Sequence, residues 1–281
     1  MTQTRFTSRH AIAPDHAATM GTDALRDNFL IADLFEAGAV ALTYTHYDRM
    51  VVGGAVPLAA PLPLQAIKPM GVPGFLNRRE LIAVNVGGAG AVSVAGQRHA
   101  LGPRDMIYVG MGAGEVAFAS DDAAQPARFY LVSAPAHRSL PTRRIRIDEA
   151  KRLDLGASAT CNERSIFQFI HPEGAQTCQL VVGMTTLAPG SVWNTMPAHV
   201  HSRRMEVYLY FDLDPEQRVI HLMGEPQETR HLIVANEQAV LSPPWSIHSG
   251  AGTASYTFIW AMAGDNVDYT DAEPARPGDL R

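Results

Sequence analysis

The stretch PAHVHSRRMEVYLYF, Pro197 to Phe211, decides how this 281-residue chain is read. His199 and His201 stand one residue apart, and Glu206 follows five residues after the second. The flanking Val, Tyr, Leu and Phe favour a strand. Alternate side chains of a strand share a face, so His199 and His201 point the same way. Glu206 has the opposite parity, and a turn or bulge around Ser202 to Arg204 is needed to bring it back to that face. Tyr208 and Tyr210 then lie beside it, while Val207, Leu209 and Phe211 pack on the other side. A fourth donor, His248, ends the apolar run SPPWSIHSG. One histidine on a strand is more often a hydrogen-bonded core residue than a ligand. HxHx4E followed by PxxxxH is a stronger pattern, because three imidazoles and a carboxylate converging inside a β structure suit a divalent metal.

The rest of the chain has the same texture. Glu80 to Ser120 reads as short strands parted by Gly-rich turns at spacings of roughly ten residues, which suggests a sandwich or barrel and not βαβ units. A second run of short strands occupies the C-terminal half. Between them, His137 to Ser158 is charged and marked by proline. We therefore expect an all-β chain with few short helices: an N-terminal barrel with an N-terminal arm over 1–136, a linker over 137–160, and a metal-binding barrel over 161–281. Residues 1–20 read as a loose arm, Asp23 to Phe35 as a short helix, and the tail after Gly264 as irregular. A faint echo joins the halves. Laying Arg78-Arg79 on Arg203-Arg204 puts Gly74 and Leu76 where His199 and His201 stand, as a duplication with metal chemistry kept only in the second half would.

Composition narrows the function. Hydrophobic residues make up 46% and charged residues 18%, so the chain is globular. A net charge of −5 without a basic run argues against nucleic acid as a partner, though one or two local arginines suffice for a small anion. No stretch of about 18 apolar residues predicts a membrane span, and the N-terminal segment has no apolar signal core. Cys161 and Cys178 form no CxxC pair and read as thiols in a reducing cytoplasm.

HxHx4E with PxxxxH on short strands resembles the cupin superfamily. The wider text GSVWNTMPAHVHSRRMEVYLYF, HLMGEPQETRHLIVANEQAVLSPPWSIHSGAGT and YTFIWAMAGDN resembles the 5-keto-4-deoxyuronate isomerase family, the 4-deoxy-L-threo-5-hexosulose-uronate ketol-isomerases of pectin degradation. LRDNFL, HYDRMVVGG, RRELIAVNVGGAG and FASDDAAQPARFY extend the resemblance over nearly the whole chain. It implies two cupin-like β-barrels (a bicupin). It implies one Zn2+ per subunit, or another divalent metal, held by His199, His201, Glu206 and His248. It also implies a homo-hexamer and a metal-dependent aldose–ketose isomerisation through an enediol, giving 3-deoxy-D-glycero-2,5-hexodiulosonate.

The acid–base residue is not identified by the sequence. Tyr208 shares a face with Glu206, while Glu228 and His231 lie in GEPQETRH, a polar loop that suits a barrel mouth. A substrate carboxylate calls for an arginine fork, for which Arg203, Arg204 and Arg230 are candidates. Four protein ligands fill a tetrahedral zinc, so a catalytic role requires a higher coordination number, and a structural role stays open. The rival readings are an isomerase of another uronate such as 5-deoxyglucuronate, an Fe(II) cupin dioxygenase, and a non-catalytic sugar-binding cupin.

Overall fold

The computed structural model of the chain describes residues 4–265 and 271–281. The expected all-β class is the one adopted: strands carry the fold, and the short helices are Pro14–Ala18 and Thr22–Phe29. Among the described residues no helix is long and apolar enough to cross a membrane.

Two compact units divide the chain, and neither is contiguous. The first comprises Met1–Arg9, Asp33–Ala150 and Phe169–Leu180; the second comprises His10–Ala32, Lys151–Gln168 and Val181–Arg281. This departs from the division at 1–136, 137–160 and 161–281, and backbone pairing supplies the reason. Leu30–Ile31 adds an edge strand to Gln238–Ser242, so the N-terminal segment joins the second unit. Arg143–Ile145 pairs with Met106–Val109, and Lys151–Leu155 pairs with Arg164–Gln168, so the supposed linker is shared out as strand. The start of the chain is not loose either: Thr4–Arg9 runs parallel to Val40–Thr45.

One topology is used twice. In the first unit a seven-stranded sheet has the order Thr4–Arg9, Val40–Thr45, Val51–Ala55, Phe129–Pro135, Arg79–Asn85, Met106–Val109, Arg143–Ile145. In the second the order is Lys151–Leu155, Arg164–Gln168, Val181–Leu187, Thr257–Gly264, Arg204–Phe211, Gln238–Ser242, Leu30–Ile31. Each is completed by a smaller sheet, of four strands in the first unit and five in the second. Arg79 and Arg204 both open the fifth strand of their large sheets, as the sequence echo predicts. Inward residues of both sheets make the first unit's core, Leu42, Leu81 and Phe129 from one and Val92, Leu101 and Phe118 from the other.

That core includes a buried charge with a structural task. Glu80 is fully buried. Its Oε1 accepts from the Gln179 and Leu180 amides at 2.8 and 2.9 Å, and its Oε2 from the Cys178 amide and the Tyr108 hydroxyl at 2.7 and 2.9 Å. Four donors compensate the desolvated carboxylate and tie Phe169–Leu180 to its unit. Burial, and then the Glu80 charge, push the Tyr108 phenol far up, so it stays a donor. Glu80→Gln replaces an acceptor with a donor facing N–H groups. Thermal unfolding of the variant should show a loss of about 1–3 kcal/mol, several degrees in midpoint.

Candidate metal centre

The second unit's two sheets supply different donors. In the five-stranded sheet, Trp193–Val200 carries His199, His201 follows its end, and His248 opens the neighbouring strand His248–Gly252. Glu206 belongs to Arg204–Phe211 in the seven-stranded sheet. The chain passes from one sheet to the other in a turn closed by the Arg204 amide on the His201 carbonyl, 3.3 Å. The parity problem is solved by this crossing and not by a bulge within one strand. A bulge exists upstream. Between the pairs Asn194–Gly250 and His199–His248, one strand advances five positions (199 − 194) and its partner two (250 − 248). Thr195 in that bulge has φ of 50°, a left-handed conformation that a β-branched residue rarely takes. Its hydroxyl lies 3.2 Å from that of Tyr208.

The four donor atoms meet inside the unit. His199 Nε2 lies 3.1 Å from His201 Nε2 and 3.0 Å from His248 Nε2; Glu206 Oε2 lies 3.3 Å from His201 Nε2 and 2.9 Å from His248 Nε2. His201, Glu206 and His248 are buried, and His199 is partly so. This His/Glu group could hold a metal ion.

The hydrogen positions argue that it is built for one. His201 Nδ1 faces Asp271 Oδ1 at 3.2 Å, and a carboxylate only accepts, so the imidazole proton sits on Nδ1. The bare lone pair of Nε2 then points at His199 and at the Glu206 carboxylate, an arrangement that repels without a cation between them. Glu206 Oε2 is buried and makes no hydrogen bond of acceptable direction despite the imidazoles around it. Burial pushes the Glu206 carboxyl up, but the neighbouring His248 and His201 rings override this and hold it below the usual carboxylate range. Burial, then His248, pushes His199 down to about 3, so it presents a neutral ring. Ser242 Oγ lies 3.1 Å from His248 Nδ1 and orients the third ligand.

Asp271 is tied on its far side to Arg204, a fully buried arginine whose NH2 donates to the same Oδ1. Two residues on, Glu273–Ala275 pairs with Ala198–Val200, and Ser202 Oγ donates to Glu273 Oε1 at 2.6 Å. This part of the expected irregular tail is therefore a strand that brackets His199. The rest of the tail's early part lies outside the described residues. Gly264 pairs with Arg204 in register, and a Cβ there would lie 2.4 Å from Arg204 Cβ, so only glycine fits beside the buried arginine.

Not every candidate reaches the site. Tyr208 does: its ring centroid is 5.3 Å from that of His248. Glu228 and His231 do not; both are exposed, and on Glu228–Val234 it is Leu232 and Val234 that turn inward. The polar loop is a hairpin whose side chains alternate, which places His231 on the outer face. Arg203 is exposed, and Arg230 is held by Glu228 at 2.7 Å and by the Ala18 carbonyl. Of the three arginines only Arg204 is buried beside the donors. Sequence reasoning missed Asp271, separated from His201 by 70 positions, and His221, whose lone place in QRVIHLMG carries no motif.

Comparison with known proteins adds a family. Residues 34–275 match the model of the KduI/IolB family. A protein of Rhizobium meliloti (strain 1021) named 4-deoxy-L-threo-5-hexosulose-uronate ketol-isomerase 2 is 68% identical over 268 residues, 95% of each chain. The ketol-isomerase of Cereibacter sphaeroides (strain ATCC 17025 / ATH 2.4.3) is 58% identical over 278 residues, 99% of this chain and 100% of its own. A crystal structure of an IolB-like protein from Salmonella typhimurium LT2 superimposes with a TM-score of 0.72 at 17% identity, covering 86% of this chain and 95% of that one, and extends the likeness in fold.

Two outcomes follow from this geometry. Asp271→Asn should weaken binding of a divalent metal by roughly 10- to 100-fold, measured by competition with a chelator, because the ligand His201 loses its orienting acceptor. His221, fully buried, is pushed down to about 3 by burial and then by His248. The unfolded chain protonates it near pH 6.5, and the folded chain resists until far lower pH, so stability falls as pH drops through that window. The unfolding midpoint of the wild type should decline more between pH 7 and pH 5 than that of His221→Asn.

Proposed function

The chain belongs to the KduI/IolB family, and on that premise we propose that it is a ketol-isomerase that converts 4-deoxy-5-ketouronate into 3-deoxy-D-glycero-2,5-hexodiulosonate. One observation carries the reading: 68% identity over 95% of both chains to a relative bearing that activity in its name. The His/Glu group that could hold a metal ion supports the reading.

Isomerisation moves hydrogen between two adjacent carbons and puts transient negative charge on the oxygens they bear. His199, His201, Glu206 and His248 would hold the metal, zinc in our reading, at one ion per subunit. When bound, the ion supplies Lewis-acid stabilisation of that charge, worth several kcal/mol. The chain's own contribution is orientation. Asp271 and Ser242 fix the rings of His201 and His248, and Thr195 fixes the Tyr208 hydroxyl beside them. Arg204 brings a permanent positive charge to the same region, with its Nε and NH1 buried and without hydrogen-bond partners. NH2 is taken by Asp271, and the two unpaired N–H groups suit an oxygen of a sugar acid's carboxylate. We further read the enzyme as a cytoplasmic homo-hexamer serving pectin degradation, on the strength of the family resemblance; light scattering tests the assembly.

Proton NMR in D2O on freshly prepared 4-deoxy-5-ketouronate, with metal-loaded and chelator-treated protein side by side, tests the activity. Conversion to the 2,5-diulosonate should occur with metal and fall by orders of magnitude without it. Equal conversion in both would demote the ion to a structural part. No conversion in either, with metal bound, would overturn the substrate and turn attention to other uronates and then to oxygen uptake.

A further inference from the structure

We propose that His221 contacts the substrate: its Nε2–H, set in place by Tyr210, donates a hydrogen bond to an oxygen of the uronate inside the second unit. The inference rests on the ketol-isomerase reading above.

His221 is fully buried on the inner face of Val219–Glu225, where Val219 and Met223 are also buried and Ile220 is exposed. Its ring lies 5.7 Å from that of Tyr208, which lies 5.3 Å from that of the ligand His248. It thus stands one aromatic ring away from the metal donors, among residues of both sheets. Nδ1 has a partner, the Tyr210 hydroxyl at 2.8 Å; Nε2 is buried and has none. A histidine kept only for packing would have both nitrogens satisfied or one exposed.

The direction of each hydrogen bond can be followed. The Asn194 amide donates Nδ2–H to the Tyr256 hydroxyl at 2.7 Å, and the Tyr256 hydroxyl donates to the Gly250 carbonyl at 3.1 Å. A phenol O–H is a good donor and an imidazole nitrogen a good acceptor, so Tyr210 passes its hydrogen to His221 Nδ1 at 2.8 Å. The imidazole proton is left on Nε2. Burial, then His248, pushes the ring's pKa down to about 3, so it carries that single proton at neutral pH. Gly250 lets these side chains pack close together: a Cβ there would lie 2.8 Å from Asn194 Nδ2 and 2.9 Å from the Tyr210 hydroxyl. Asn194 Oδ1 is a second buried atom without a partner, an acceptor where His221 offers a donor. A donor and an acceptor suit a sugar's carbonyl and neighbouring hydroxyl. In this role His221 makes and breaks no covalent bond. Its proton stays on Nε2 and steadies the charge that gathers on the substrate oxygen.

The test uses full-length, metal-loaded protein, assayed for turnover of 4-deoxy-5-ketouronate and for metal content. His221→Asn retains an acceptor for Tyr210 but cannot reach the Nε2 position; its kcat should fall about 100- to 1000-fold, with metal content unchanged and KM moved much less. His221→Gln can place an amide N–H near Nε2 and should recover at least roughly tenfold of that loss. A kcat for His221→Asn within about threefold of wild type, or equal losses in both variants accompanied by loss of metal, would overturn the proposal. If His221→Asn fails to fold, Tyr210→Phe decides. A kcat loss of about tenfold with metal retained supports the relay, and an unchanged kcat removes it. A metal-loaded wild type that does not turn over the uronate overturns the isomerase reading itself, and this inference with it.

Discussion

Four donor atoms with their lone pairs turned toward one another constitute the constraint on which the second unit depends. Three belong to imidazoles of the five-stranded sheet and one to a carboxylate of the seven-stranded sheet. Asp271 takes up the Nδ1 side of His201, which leaves its Nε2 facing His199 and Glu206. The surrounding structure therefore has to hold repelling groups together. It does so from several directions. Ser242 braces His248, the Glu273–Ala275 strand brackets His199, and the Arg204–Asp271 pair braces His201. A cation among these donors would turn repulsion into attraction.

The first unit shows what the same frame does without that burden. Arg79 stands at the start of the equivalent strand, but its Nε donates to Ser133 Oγ at 3.0 Å and its NH2 to the carbonyls of Arg49 and Ser133 at 2.7 Å each. It is a satisfied structural arginine; burial still pushes its pKa down to about 10. Arg204 occupies the matching place with Asp271 as its partner and two nitrogens unpaired. The contrast is one of partners: side-chain and backbone oxygens of its own unit satisfy Arg79, while Arg204 faces a carboxylate beside the His/Glu group.

Much of this is written in the sequence, because periodicity and local spacing survive translation into structure. HxHx4E and PxxxxH picked out the four residues whose donor atoms converge, a group that could hold a metal ion, and the β texture named the class. What failed was long-range. No local pattern reveals that Leu30–Ile31 completes a sheet with Gln238–Ser242, or that Asp271 returns to His201. The polar loop around Glu228 misled for the opposite reason. Its composition suits a barrel mouth, but strict alternation along the hairpin sends His231 outward. Arg203 and Arg204 are adjacent in sequence and opposite in fate, one exposed and one buried, because the strand begins between them.

The placement of His10–Ala32 in the second unit has a consequence for how the chain is made. Trp245 Nε1 donates to the Ile12 carbonyl across 233 positions, and Arg26 to the Ile233 carbonyl across 207. At about 5–20 residues per second, the segment leaves the ribosome on the order of ten to forty seconds before its partners exist. Throughout that interval Leu25, Phe29, Leu30 and Ile31, all buried in the finished protein, are without their cover. The segment's apolar face thus waits, uncovered, for the strands and loop around residues 233 to 245 that complete it.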